Sequence, residues 1–200
     1  MRGVIMRVAK ARGDRWERGA VAVEMAIVVP VLVLMVFGML EFGIAFKDKL
    51  DMSHAVNQAT RNATVLGTDD YADIEILKAL DAGLKGDLGS VVHVDIFLAA
   101  VDGSPVDTKW DWYVPDGGAC GWSPCPDPDL GPAVYGSPAG YKPCERDITL
   151  DADGVDTIGV QVRYTHTWIT GVLGLGPQTW HETARARMEP DLFGTGLTPC

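Results

Sequence analysis

The body of the chain lacks a surplus of positive charge, and this excludes one class of partner. Residues 47–200 hold 11 basic and 23 acidic residues, and the whole chain of 200 residues carries a formal net charge of −10. A protein that binds nucleic acid needs clustered Lys and Arg to neutralise phosphates. We therefore expect no nucleic-acid partner.

The chain also lacks the common catalytic motifs. It has no His-Glu-x-x-His, no Gly-x-x-x-x-Gly-Lys, and no Gly-x-Ser-x-Gly around its loop serines. Its four histidines are scattered along the sequence: His54, His93, His166 and His181. We therefore expect a protein that is not an enzyme and has no cofactor, with a membrane-anchored hydrolase as a distant alternative.

Charge is absent from one long stretch near the start. No charged residue lies between Met25 and Leu40, and residues 20–46 contain only two acids. A bilayer core of about 30 Å needs about 20 helical residues, whereas a soluble core strand runs about 4–8. The length therefore predicts a transmembrane helix over residues 20–46, bent at Pro30.

The charges that flank this stretch predict its orientation. Residues 1–18 hold six basic and two acidic residues, whereas Lys47 and Lys49 are offset by neighbouring aspartates. The positive-inside rule then makes residues 1–19 a basic cytoplasmic leader and residues 47–200 an extracytoplasmic domain. A cleaved secretory signal is the alternative, but its apolar region would be shorter and the helical pattern would stop after it.

The few cysteines all lie in the predicted extracytoplasmic part, which is an oxidising environment. The chain has four of them: Cys120, Cys125, Cys144 and Cys200. This even number predicts up to two disulfides, and three pairings remain open. A zinc site is the rival, but the Cys-x4-Cys spacing lacks a tight second pair, so we expect no metal; free thiols remain an alternative.

Two acids interrupt the apolar helix. Glu41 lies close to its outer end, where a carboxylate is ordinary boundary chemistry. Glu24 lies near its start, where the helix dipole favours a carboxylate. An acid held in hydrocarbon costs about 2–3 kcal/mol unless it finds a partner, so the favoured interpretation is that Glu24 meets a positive group supplied by assembly, and a carboxylate at headgroup level is the alternative.

The residues around Glu24 resemble a known processing site. The segment from Arg18 to Met25 reads RGAVAVEM and precedes the apolar helix. It resembles the site of type IV pilin-like proteins, with Met25 where an aromatic residue often stands. The resemblance implies cleavage between Gly19 and Ala20 by a prepilin peptidase, and Glu24 as the assembly acid at position five of the mature chain.

A longer stretch resembles one family within this group. The run ERGAVAVEMAIVVPVLVLMVFGMLEFGIAF and the following AVNQATRNATVLG are similar to the TadE-like family of the tight adherence (Tad) pilus. The resemblance covers residues 17–66 strongly and 155–190 moderately. It implies a minor pilin or assembly factor whose partners are the membrane, prepilin peptidase, other pilin-like subunits and the pilus assembly machinery.

Beyond the membrane, hydrophobic periodicity predicts an α+β domain. The first helix should continue as a stalk to Leu66 and stop at Gly67, and a second helix should follow a cap at Thr68 or Asp69. Strands are predicted in VVHVDIFLAA, DTIGVQVRYTHTW and QTWHETARARM. The expected result is a small antiparallel sheet of about three strands, with a long disulfide-pinned loop over residues 102–147.

These features lead to one functional hypothesis and one rival. The hypothesis is a single-pass, membrane-anchored structural or assembly protein of a Tad-type pilus or related secretion system, which enters the pilus after cleavage or stays in the membrane. The rival is an uncleaved membrane-anchored binding module that presents the loop over 102–147 to a ligand.

Overall fold

The computed structural model describes residues 3–85, 88–136, 140–150, 154–171 and 174–191, with the backbone alone for residues 3–18. The described residues form two compact units. We call the residues up to Ile44 together with Trp168–Gly176 the helix unit, and Ala45–Thr167 together with the residues from Pro177 onward the sheet unit.

A single long helix, α1 (Gly3–Leu66), begins in the segment predicted as the leader and includes Pro30. The predicted stop is confirmed, because Gly67 follows the helix with a φ of 56°. A residue with a β-carbon rarely adopts this left-handed conformation, so glycine is the natural residue after the last helical turn.

The second predicted helix is present as α2 (Ala72–Gly83). The predicted cap at Thr68 or Asp69 is wrong, because the helix starts after Tyr71; Asp69 instead accepts a hydrogen bond from the backbone N–H of Tyr71 at 2.8 Å. This bond makes a turn before the helix, a common use of aspartate. The predicted apolar face is buried: Ile74, Leu77 and Leu80.

The strands form one antiparallel sheet with the order β3-β2-β1-β4-β5. Their bounds are β1 (Val91–Ala99), β2 (Pro105–Pro115), β3 (Trp122–Ser123), β4 (Thr157–His166) and β5 (Gln178–Arg187). The prediction of an antiparallel sheet is confirmed, and the predicted number of about three strands is wrong. The three predicted strands are β1, β4 and β5.

The missed strand β2 lies inside the segment predicted to be irregular. It begins and ends with proline and contains Asp107 and Asp111, residues that are depleted in strands. Its aromatic residues nevertheless pair across the sheet with β1, Trp110 opposite Phe97 and Tyr113 opposite Val94. Cross-strand packing of this kind stabilises a strand that local composition disfavours.

The core of the sheet unit is packed between helices and sheet. Ala55, Ala59 and Ala63 recur every four residues on α1 and are fully buried. Small side chains allow close packing there, and a β-carbon on Gly83 of α2 would lie 2.8 Å from the Cα of Ala55. The remaining core comes from α2 and from one face of the sheet, and includes Ile76, Leu80, Val94, Ile96, Tyr113, Ile158, Val160 and Val162.

Candidate functional site: an apolar helix with two acids

Residues 19–34 of α1 present mostly apolar side chains that no other described residue covers. Every residue from Gly19 to Leu34 is exposed, and the apolar window of this helix has a mean hydropathy of 2.7 with none of it buried. Exposed apolar area costs about 25 cal/mol per Å² in water, so a surface of this kind requires another environment. The helix is long and apolar enough to cross a membrane.

The predicted processing residues lie on this helix. Gly19 and Ala20 are both exposed and helical, so their peptide bond lies in a regular helical turn. A β-carbon at Gly19 would meet no atom within 4 Å, and the same holds for Gly38 and Gly43. The helix therefore offers open, narrow places where another helix could approach closely.

Glu24, the predicted assembly acid, is exposed one helical turn beyond Ala20. Its carboxylate forms no hydrogen bond or ion pair with any side chain that the structure describes. The neighbouring side chains Val21, Val23 and Val28 are exposed apolar groups. In an apolar environment this carboxylate needs a partner from another molecule.

Glu41 is arranged in the opposite way, and the sequence analysis treated it only as a residue at the membrane boundary. It is 2% exposed although it lies on the same helix. Its carboxylate accepts hydrogen bonds from the backbone N–H of Ile169, at 3.1 Å, and from both the backbone N–H and the hydroxyl of Thr170. No local pattern could have found these bonds, because 128 residues separate Glu41 from Ile169.

An aromatic contact accompanies the bonds to Glu41. The rings of Phe42 and Trp168 meet edge to face, with centroids 5.8 Å apart and an angle of 74°. Such pairs contribute about 0.5–1.5 kcal/mol beyond the area that they bury. The segment after β4 is therefore held to the helix by one charged and one aromatic contact, on adjacent helix residues.

A second cluster of buried charges lies in the sheet unit, and the sequence analysis missed it. The guanidinium of Arg146 pairs with the carboxylate of Asp73 on α2, and both side chains are fully buried. The hydroxyl of Tyr113 donates to Asp73 at 2.6 Å, and Arg146 also lies over the ring of Tyr141, 5.2 Å from its centre. Although burial alone lowers the pKa of Arg146, the charge of Asp73 opposes this effect and the pKa is raised.

Asp111 extends this cluster from strand β2. Its carboxylate accepts a hydrogen bond from the backbone N–H of Tyr141 at 2.9 Å. Burial first, and the negative charge of Asp73 second, raise the pKa of Asp111 to about 6. Burial also raises the pKa of Tyr113, so this phenol stays neutral. The groups are sealed from solvent, and their role is to hold the segment around Tyr141 and Arg146 in place.

The cysteines lie in the irregular part of the chain. Cys120 and Cys125 form a disulfide, and Cys144 is also disulfide-bonded. Cys200 lies outside the described residues. The Cys120–Cys125 bridge closes a loop with a sequence separation of 5 that includes β3, so it constrains a segment with few backbone ladder bonds.

The remaining described titratable groups include those that line a cleft with charged side chains. In the part of the chain that the structure describes, no group of three or more His, Cys, Asp or Glu residues could hold a metal. A cleft in the sheet unit contains charged side chains, but Lys47 is paired with Asp51 at 2.7 Å and His166 with Asp48 at 2.9 Å. Four of the titratable groups that line the cleft are therefore paired with one another.

The fold and the helix together define a class: an α+β protein that fits a single-pass membrane protein, with one candidate membrane helix near its N-terminus. The model of the TadE-like protein family matches residues 19–61. The predicted resemblance to the TadE-like family is therefore confirmed for this segment, which begins at Gly19 and contains both acids. The match does not reach residues 155–190. No curated protein and no solved structure matches the chain.

Proposed function

We propose that the protein is a pilin-like, membrane-anchored structural or assembly component of a Tad-type pilus or a related secretion system. One observation carries the proposal: the segment that matches the TadE-like family coincides with the uncovered apolar helix. A subunit that must leave its helix open to lipid or to other helices has this surface, whereas the core helix of a soluble protein is buried.

The proposal assigns a topology and a processing step. Residues 1–19 are a cytoplasmic leader, residues 20–46 cross the membrane, and residues 47–200 form the extracytoplasmic domain. A prepilin peptidase cuts between Gly19 and Ala20 and so creates a free amine on Ala20. The flanking charge difference and the exposure of the Gly19–Ala20 bond support this assignment.

The proposal gives Glu24 a partner on another subunit. The carboxylate lacks a described partner within its own chain and lies among exposed apolar side chains. A new Ala20 amine on a neighbouring subunit carries the opposite charge, and pairing the two inside a helix bundle stabilises both and helps to set the register.

Mass spectrometry of the mature N-terminus tests the processing step. In cells that make the pilus, we expect the protein to begin at Ala20. A mature protein that retains Met1 in those cells would remove the proposed cleavage.

A charge-neutral substitution tests the role of Glu24. Glu24→Gln keeps the size of the side chain and removes its charge, and we expect pilus assembly to fall by about tenfold or more, as when one partner of a buried ion pair is lost. Glu17→Gln is the matched control, because it makes the same change in the leader that cleavage discards. Equal piliation in the two variants would contradict the proposed role of Glu24.

A second candidate is a membrane-anchored binding module, and one observation favours it. Exposed apolar side chains flank the disulfide-linked segment around β3 in the sequence: Trp112 before it, and Leu130 and Val134 after it. Replacement of these three residues with serine would abolish ligand binding by such a module and leave piliation intact. Loss of piliation with Glu24→Gln and its retention in the triple variant would favour the pilus component.

A further inference from the structure

The connection between β4 and β5 is longer than the hairpin requires. His166 pairs directly with Gln178, which leaves residues 167–177 as the connection. Two residues suffice to join antiparallel strands. The extra length carries no charged residue and reads TWITGVLGLGP. Gly171 and Gly174 both have positive φ, and a hydrogen bond of 2.9 Å joins them in a turn.

This connection belongs to the helix unit and not to the unit that contains its two strands. Trp168–Gly176 groups with the residues of α1 up to Ile44. The contacts that hold it include those of Glu41 with Ile169 and Thr170, and that of Phe42 with Trp168. These contacts attach the segment to two adjacent residues of the apolar helix, Glu41 and Phe42.

Two of the described apolar side chains of the connection are exposed. Ile169 is 70% exposed and Leu175 is 42% exposed. The nearby helix residues Met39, Leu40 and Phe42 are exposed as well. The connection and this part of the helix thus both carry uncovered apolar groups, whose exposure costs free energy in water.

The bonds to Glu41 give two backbone N–H groups of the connection a partner in an apolar environment. Irregular backbone is tolerated at membrane depth only where its N–H groups have partners, and a carboxylate there needs donors. Glu41 satisfies the N–H groups of Ile169 and Thr170, while these donors satisfy the charge of Glu41. The two N–H groups therefore lower the free-energy cost of burying the Glu41 carboxylate in lipid, and the carboxylate lowers the cost of burying these N–H groups.

The position of Glu41 places this level at a membrane boundary. At about 1.5 Å per residue, 21 residues from Ala20 to Glu41 span about 31 Å, close to the hydrocarbon thickness of about 30 Å. Tryptophan side chains such as that of Trp168 favour this boundary. The connection is therefore attached near the outer end of the proposed span.

We propose that the β4–β5 connection is a second membrane-contacting element, which inserts Ile169 and Leu175 among the phospholipids at the outer interface and is fastened to α1 by Glu41. This inference rests on the proposed membrane span of residues 20–46. The occupant of its surface is phospholipid; contact with a second copy of the chain is the alternative outcome of the test.

Site-specific photo-crosslinking in membranes tests the inference. The full chain carries benzoylphenylalanine at one position and is reconstituted in phosphatidylcholine vesicles. Position 169 tests the connection, position 31 reports on the helix itself, and position 134 is the control, since Val134 is an exposed apolar residue outside the helix unit. We expect lipid adducts from 169 and 31, at least about tenfold above those from 134.

The outcomes separate this inference from the proposed function. Lipid adducts from position 31 without adducts from 169 would overturn the inference and leave the membrane span standing. Absence of adducts from both would overturn both. Adducts of position 169 with a second copy of the chain, in place of lipid, would overturn the inference in favour of a subunit contact.

Hydrogen exchange tests the fastening by Glu41. In the same vesicles, Glu41→Ala should speed exchange of the Ile169 and Thr170 amides by about tenfold or more, because a charge-assisted hydrogen bond to each is lost. Glu24→Ala is the matched control on the same helix and should leave these amides unchanged. Unchanged exchange in Glu41→Ala would show that Glu41 does not hold the connection.

Discussion

Glu24 and Glu41 lie on the same helix, and they differ in what surrounds them. Glu41 is buried and receives hydrogen bonds from two backbone N–H groups and a hydroxyl, all from the chain itself. Glu24 is exposed and has no described partner. A carboxylate in apolar surroundings needs donors or a positive charge. Glu41 therefore has its hydrogen-bond partners within the folded chain, whereas the proposed partner of Glu24 lies on another subunit.

The sheet unit also contains buried acids with partners inside the chain, and part of the helix unit does not. In the sheet unit, Asp73 is saturated by Arg146 and Tyr113, and Asp111 accepts a bond from Tyr141. In the helix unit, the apolar surface and Glu24 stay open. Asp73 and Asp111 thus have partners inside the chain, whereas the open apolar surface is where the proposed assembly would take place. The predictions below test this contrast, and the expected changes in the free energy of unfolding decrease from the first to the last.

The largest change is expected from breaking the buried ion pair. Arg146→Ala leaves Asp73 charged and buried without its main partner, so the free energy of unfolding of the full chain in detergent micelles should fall by about 3–5 kcal/mol. Urea denaturation followed by circular dichroism measures it. The double variant Asp73→Leu with Arg146→Met should recover most of the loss. A loss below about 1 kcal/mol for Arg146→Ala would mean that the pair is not sealed from water.

A smaller loss is expected from overpacking the sheet. A β-carbon at Gly159 of β4 would lie 2.3 Å from the ring of Phe97, its cross-strand partner on β1. Gly159→Ala should lower the free energy of unfolding by about 1–3 kcal/mol. Adding Phe97→Leu should restore part of the lost free energy of unfolding. As a control, Gly117→Ala is unsuitable because Gly117 has positive φ. Gly176→Ala, where the β-carbon meets no atom within 4 Å, is the better one.

Protonation of Asp111 should give the sheet unit a dependence on pH. Since burial raises the folded pKa of Asp111 to about 6, above its usual 3.8, the protonated form is favoured in the folded state. The contribution of protonated Asp111 to the free energy of unfolding is complete below about pH 4 and is lost as the pH rises through about 6. Asp111→Asn should therefore be about 1–2 kcal/mol more stable than the parent at pH 8, and equal to it at pH 4. A pH-independent difference between the two proteins would exclude Asp111 as the source.

The smallest change is expected from Glu24. Because this carboxylate has no described partner in its own chain, Glu24→Gln should alter the free energy of unfolding by no more than about 0.5 kcal/mol. The same denaturation assay measures it, beside the large loss expected for Arg146→Ala. A loss of 2 kcal/mol or more in Glu24→Gln would show an internal partner and would weaken the argument for assembly.

Much of the fold follows from local patterns. The uncharged run after Met25 and the glycine after Leu66 predict the long helix and its end, and alternation predicts β1, β4 and β5. Strand β2 was missed because its prolines and aspartates favour a loop, and only its pairing with β1 overrides them. The processing site and the role of Glu24 stay predictions, and they came from a motif within eight residues.

The long-range contacts of Asp73 and Glu41 could not be predicted from local sequence patterns. Asp73 and Arg146 are 73 residues apart, and Glu41 and Thr170 are 129 residues apart. Neither pair has a local spacing that signals it. The motif around Glu24 distinguishes it from Glu41 in the sequence, but only the position of the β4–β5 connection gives Glu41 its hydrogen-bond donors.

The sequence by itself determined where the apolar helix lies, because hydrophobicity and helix propensity act over a few neighbouring residues. It also determined that acids would interrupt the apolar surface. The tertiary structure decided which of them found donors inside the chain, because a hydrogen bond requires two groups within about 3 Å, and for distant residues only the folded backbone sets that distance.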